Sequence, residues 1–253
     1  MSRFTETTFI FASMNRLSWR QLFFWFGLLG ALLFLVLTGL AMYLYPGGTI
    51  HAPELESYSF LNNYFSDLGR TKTFDGLSNR TCHSIFKAAL TISGFTLILF
   101  FIALPSLFSK PSTKMLITIA AVLGIVAGVC YIGIGWVPWN EDYWVHRRYV
   151  RISFLAFLGM TLLYTTAIFS DPAYPNKYGR ALLTFFIVLL IQIIIMFFGP
   201  RAYRTSEALF LQAVAQKIVV YAEILVMVYM AWGAIKLEKR IYLPSDSTKN
   251  NLL

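Results

Sequence analysis

Long apolar runs alternate with short polar ones along the whole chain. Six runs reach bilayer-spanning length, at about 21–45, 83–105, 115–137, 149–170, 181–199 and 208–235. About 20 residues rising about 1.5 Å each cover a hydrocarbon layer roughly 30 Å thick. In lipid the backbone must satisfy its own hydrogen bonds, so runs of this length are expected to be helices. The pattern predicts an all-α polytopic integral membrane protein, with residues 1–253 forming one domain and one bundle of six transmembrane helices. The first run exceeds the usual apolar core of a signal peptide. The "MYLYPGG" that follows it offers no A-x-A-like cleavage site, so a permanent first helix is expected.

Composition agrees with this class. The chain is 57% hydrophobic and 13% charged, with a mean hydropathy of +0.63. That excludes an ordinary soluble domain. The net charge of +9 does not point to nucleic acid, because the basic residues flank the apolar runs instead of forming a basic domain. Six spans put both termini on one side. Arg16 and Arg20 before the first run, and Lys236, Lys239 and Arg240 after the last, predict that this side is cytoplasmic. The count is close: that side carries 11 of the 21 Lys and Arg, and the other side carries ten. The other side also holds all three histidines, His51, His83 and His146.

Three polar stripes are expected at that non-cytoplasmic face. On the second run Asn79, His83, Lys87 and Thr91 recur every four residues and so share one helix face. Either Lys87 snorkels outward or the stripe lines a wet cavity. Before the fourth run, "GWVPWNEDYWVHRRYVR" mixes an aromatic belt (Trp136, Trp139, Tyr143, Trp144, Tyr149) with Glu141, Asp142, His146, Arg147, Arg148 and Arg151. Arg147 and Arg151 are one turn apart. In the last run Gln212, Gln216 and Glu223 line one face beside Lys217, with Ser206 as the expected cap. Glu223 is the deepest acid, and Lys87, Arg151 and Lys217 are its candidate partners. The segment "ESYSFLNNYFSDLG" is expected to lie along the membrane surface, closed by Gly69, and to deliver Asn63, Asp67 and Arg70 to the same mouth. There Asp67 would supply counter-charge.

Other signals carry less. Cys82 at a helix mouth and Cys130 roughly 10 Å deeper are not expected to pair. Asn79-Arg80-Thr81 fits a glycosylation sequon by chance. Gly27 and Gly30 in the first run, and Gly124, Gly128 and Gly133 in the third, read as close helix packing. No phosphate-binding glycine loop and no haem-type histidine pair is present, and no cofactor is expected.

Ser66-Asp67-Leu68-Gly69, Asn79 at a helix mouth, the loop from Pro138 to His146, and Gln216-Lys217 opening the last helix resemble a six-helix membrane family of bacteria and archaea, known as domain of unknown function 998. Gln216 stands where that family's pattern has an acid. The resemblance implies a bacterial inner (plasma) membrane location and no established activity. A looser similarity is to the Frag1/DRAM/Sfk1-type membrane proteins, which are linked to lipid handling.

Three functions compete at this stage. The first is binding or handling of an anionic lipid or amphiphile in a cation-rich pocket open to the outer face. Its expected ligand set is Asn63, Asp67, Arg70, Asn79, His83, Lys87, Asp142, His146, Arg147, Arg151, Gln216, Lys217 and Glu223. The second is a membrane-embedded metal-dependent lipid hydrolase, with His51, His83, His146 and Asp67 as the available ligands. The ceramidase/progestin-receptor superfamily, which it resembles in having Ser, Asp and His near one face, has a histidine pair on its last helix that is missing here, so no metal is expected. The third is a secondary transporter coupled through Glu223, although no internal repeat or broken helix pair appears.

Overall fold

The computed structural model describes residues 17–242. The termini, and with them the side of the membrane they occupy, lie outside the described residues. Six long helices carry the fold: α1 (Trp19–Leu44), α2 (Arg80–Ala103), α3 (Pro111–Trp136), α4 (Tyr143–Phe169), α5 (Asn176–Phe198) and α6 (Ser206–Tyr242). Each is long and apolar enough to cross a membrane. No strand occurs among the described residues, only an isolated bridge between Lys72 and Ser78.

The helices begin earlier than the apolar runs do, because polar first turns belong to them. Ser18 caps α1 by accepting from the Gln21 N–H at 3.1 Å. Pro111 opens α3, where its missing N–H costs nothing. The largest shift is in α4, which starts at Tyr143 because Asp142 accepts from the Val145 N–H at 3.0 Å. At α6 the cap is Thr205, which accepts from the Ala208 N–H at 3.2 Å, and not Ser206 as expected.

Each helix packs on the next, and α6 packs back on α1, so the ring is closed. Phe24, Phe100, Phe101, Phe157 and Tyr164 fill its interior and are fully buried. At one end Lys110 donates to the Ser170 carbonyl at 3.3 Å, and Thr113 to Asp171 at 3.0 Å. At this same end Ser18 joins α1 to α6 by donating to Glu238 at 2.6 Å. The other end carries the long segment 45–79 and the loops 137–142 and 199–205.

Small residues set the closest crossings, as expected where lipid tails give no hydrophobic push between helices. A Cβ at Gly94 would lie 2.5 Å from the Gly128 carbonyl oxygen, and one at Gly128 would lie 2.8 Å from that of Gly94. Here α2 and α3 touch backbone to backbone. Gly30 leaves room for the Thr96 hydroxyl, which a Cβ would meet at 1.9 Å. Gly27, Gly124 and Gly133 lie likewise against Phe100, Phe101 and Tyr149.

A backbone carbonyl cannot rotate away as a side chain can. Gly128→Val is therefore expected to cost about 1–3 kcal/mol. Thermal unfolding in detergent should show a clear drop, larger than that of Gly39→Val, whose added Cβ meets nothing within 4 Å.

Candidate functional site

Segment 45–79, expected to present a surface helix, instead forms a buried plug. It folds over the end of the bundle, and its one helical piece is a single 3-10 turn, Phe65–Gly69. Phe65, Leu68 and Gly69 are buried, and Gly69 sits so close to the Phe86 ring that a Cβ would meet it at 2.6 Å. Gly69 is thus a close-packing residue of this plug. It does not cap a surface helix.

Asp67 is at the centre of the plug and is buried. Its Oδ2 accepts from Asn63 Nδ2 at 3.0 Å and from the Tyr64 N–H at 2.9 Å. Its Oδ1 accepts from Trp139 Nε1 at 3.2 Å. Trp139 therefore turns inward from the expected aromatic belt, while Trp136, Tyr143 and Trp144 remain exposed. Burial pushes the Asp67 carboxyl above its usual range. The three hydrogen bonds and the charge of Arg70 pull it back in part.

Lys217 reaches the same knot from α6. Its ammonium donates to the Asn63 carbonyl and lies 5.3–5.9 Å from the ring centres of Tyr58, Phe60 and Phe65. Gln216 accepts from the Phe65 N–H at 2.9 Å. Asn79 Nδ2 donates to the carbonyls of Leu68 at 3.2 Å and Arg70 at 2.9 Å. His83 Nδ1 bonds the Gly69 carbonyl at 2.8 Å. Arg70 lies between the rings of Phe74 at 4.0 Å and Trp139 at 4.4 Å. Asn140 exchanges hydrogen bonds with Thr71 at 3.0 and 3.1 Å. Asn63, Asp67, Arg70, Asn79, His83, Gln216 and Lys217 thus meet, and Trp139 and Asn140 join them.

The remaining expected residues are placed elsewhere. Lys87 lies over the Trp136 ring at 3.3 Å, and Trp136 in turn donates to Thr91 at 3.1 Å. Asp142 is exposed, caps α4 and stands apart from the plug. His146 is buried, with Nδ1 on the Val137 carbonyl at 2.6 Å and Nε2 without a partner. Glu223 is buried in the bundle interior, where the Tyr131 hydroxyl donates to it at 2.5 Å. The expected cation partner is replaced by a tyrosine, because Lys87, Arg151 and Lys217 each settle on other groups.

Arg147 and Arg151 belong to a separate outer patch. Arg147 lies 5.6 Å from the Tyr143 ring centre and Arg151 lies 4.9 Å from that of Phe197. The Arg151 Nε is buried without a hydrogen-bond partner among the described residues. The neighbouring loop 199–205 adds Arg201 and Arg204. Arg201 donates to the Tyr203 hydroxyl at 2.9 Å, and this bond, with the charge of both arginines, holds that exposed phenol below its usual range. Sequence reading missed Arg201 and Arg204, although a Pro-Arg-x-x-Arg loop between two spans was visible.

The four candidate metal ligands are held apart. His51 bonds the Ala202 carbonyl at 2.8 Å, and His83, His146 and Asp67 have the separate partners just given. Among the described residues no three His, Cys, Asp or Glu are placed to hold a metal ion. Cys82 and Cys130 are both free.

Removing the Asp67 carboxyl strands three donors, one buried and two half-buried. Asp67→Ala is expected to cost about 3 kcal/mol, measured by thermal unfolding in detergent. The pH dependence has a definite sign. Between the ordinary aspartate value and the raised one, the folded chain holds a proton that the unfolded chain has lost, so Asp67 favours folding more as pH falls through that interval. Asp67→Asn should remove this acid-side gain and flatten the pH dependence of the unfolding temperature above about pH 4.

The chain matches no family model, no curated protein and no solved structure.

Proposed function

We propose that this protein binds the head group of an anionic lipid or amphiphile at its non-cytoplasmic face. The observation that carries the reading is the Arg151 guanidinium, seated on Phe197 with a buried Nε that no other group satisfies. A buried donor left unpaired is costly, and a phosphate or carboxylate oxygen would remove that cost. Arg147 one turn away, and Arg201 and Arg204 in the adjacent loop, supply further charge. Guanidinium groups suit phosphate because their N–H fork can bind two oxygens at once. The surroundings suit acyl chains: Phe198 is 84% exposed, Ile194 50% and Ile152 47%. The site is thus a lateral patch between α4 and α5, in place of a central pocket, and Glu223 is no part of it. The Asp67 knot holds the loop bearing Trp139 and so supports the start of α4.

The ligand test uses vesicle-derived lipid. Wild type and Arg151→Gln are purified from membranes of equal phosphatidylglycerol content, and bound lipid is measured by mass spectrometry. Arg151→Gln should lose most of the retained anionic lipid while unfolding at nearly the wild-type temperature. Equal retention by both proteins would remove the reading.

This face must also be the non-cytoplasmic one. In cysteine-accessibility labelling, Asp75→Cys should react from outside the cell and Asn176→Cys from the cytoplasm. The reverse pattern would move the lipid site to the inner leaflet.

A further inference from the structure

Glu223 lies near the middle of α6, 17 residues after Ser206 and 18 before Ile241. At about 1.5 Å per residue it is roughly 25 Å from either end of the span. Its partner is the Tyr131 hydroxyl of α3, a neutral group. Lys87, Arg151 and Lys217 are engaged with Trp136, Phe197 and Asn63 instead. A bare carboxylate at this depth is strongly disfavoured, so the site needs a compensating positive charge.

A cavity of about 20 Å³ adjoins the carboxyl, between α1, α2, α3 and α6. Four of its lining side chains carry oxygen: Glu223, Tyr131, Ser93 and Thr96. Thr96 donates to the Ser93 carbonyl at 3.0 Å, so its hydroxyl oxygen can still act as an acceptor. The side chain is accommodated because Gly30 on α1 has no Cβ. A second cavity of about 10 Å³ on the other side of Glu223 is walled by Phe, Met and other apolar side chains and by Tyr164, whose hydroxyl is engaged with Tyr174. A polar occupant therefore belongs in the first.

We infer that this first cavity is a binding site for one monovalent cation of sodium size, with Glu223 as its charge partner and the Tyr131, Ser93 and Thr96 hydroxyls as neutral ligands. The donors are all hard oxygens, which suit alkali and alkaline-earth ions over transition metals. One carboxylate balances one positive charge, and a divalent ion would leave a net charge in the low-dielectric interior. The volume is about that needed for one water-sized occupant. Glu223 and Tyr131 are the only titratable groups lining the cavity. The inference is independent of the lipid patch, which it neither needs nor uses.

The test is thermal unfolding of the purified full-length protein in detergent, with sodium chloride replaced stepwise by choline chloride at constant ionic strength. Sodium should raise the unfolding temperature with single-site saturation, since an ion that binds only the folded state stabilises it by mass action. Ser93→Ala should weaken the apparent affinity about tenfold, and Glu223→Gln should abolish the response. Direct binding of radioactive sodium to wild type gives a readout that does not depend on the variants folding. No saturable sodium binding by wild type, or an equal response in Glu223→Gln, overturns the inference. So does an infrared carboxylic-acid band assigned to Glu223 that sodium leaves unchanged, because the proton would then be the resident charge.

Discussion

The end of the bundle that carries segment 45–79 depends on one buried carboxylate. Asp67 cannot be buried unless its oxygens find donors, and those donors come from segments far apart in sequence: Asn63 and Tyr64 within its own loop, and Trp139 from the loop between α3 and α4. Asn63 in turn is reached by Lys217 of α6. Satisfying a single acid therefore fixes the plug relative to the α3–α4 loop and α6. A network of this kind is stiff when complete and costly when broken, because its members sit in a low dielectric where an unpaired polar group has no water to turn to.

The cations at this end settle on aromatic faces more than on acids. Lys87 takes Trp136, Arg70 takes Phe74 and Trp139, Arg151 takes Phe197, and Lys217 sits among Tyr58, Phe60 and Phe65. Such contacts contribute roughly 0.5–2 kcal/mol each and do not use up the hydrogen-bonding N–H groups. A guanidinium resting on a ring is held in place and still has donors to offer. This is why the arginines of α4 suit a ligand, whereas Lys217, already donating to a carbonyl, suits a structural tie.

Much of the architecture was legible because lipid leaves few choices. A run long enough to span must be a helix, so the six spans followed from hydropathy, and the glycines of α1 and α3 followed from the need for close crossings. The helix starts were less legible, since a hydropathy run begins where the side chains turn apolar and a helix begins at its cap, as Asp142 and Thr205 demonstrate. The site was legible in part. Spacing by four put Asn79 and His83 on one face of α2, and both do reach the plug. Spacing cannot say where that face stops serving one neighbour and starts serving another, so Lys87, one turn further, falls to Trp136. Nor can it separate a belt tryptophan from one that turns inward. Trp139 differs from Trp136 and Trp144 only in following Pro138, and its partner lies 72 residues away. Tyr131 was hidden for a related reason: a lone hydroxyl in an apolar run reads as interface decoration until the helix opposite brings an acid to it.

Asp67 and Glu223 are both buried acids, yet their surroundings assign them different tasks. Asp67 has three donors closing around its two oxygens and the charge of Arg70 nearby, so its environment is complete within the protein. Glu223 has one donor, no cation in contact among the described residues, and a cavity on either side, one of which takes the Tyr131, Ser93 and Thr96 side chains into a mainly apolar wall. Burial alone marks neither as functional, because a satisfied buried acid is a fastening. What distinguishes Glu223 is the deficit: an acid near the middle of α6 whose charge, on our proposal, is balanced by a bound ion. The same logic applies at the surface patch, where the deficit has the opposite sign and sits on Arg151. The two proposed sites share no residue, so a ligand at one need not compete with an ion at the other. Two packed routes connect them: α3 against α4, where Tyr131 is edge-on to Phe157 at 5.7 Å, and α5 against α6, where Leu182, Phe185 and Glu223 line one cavity.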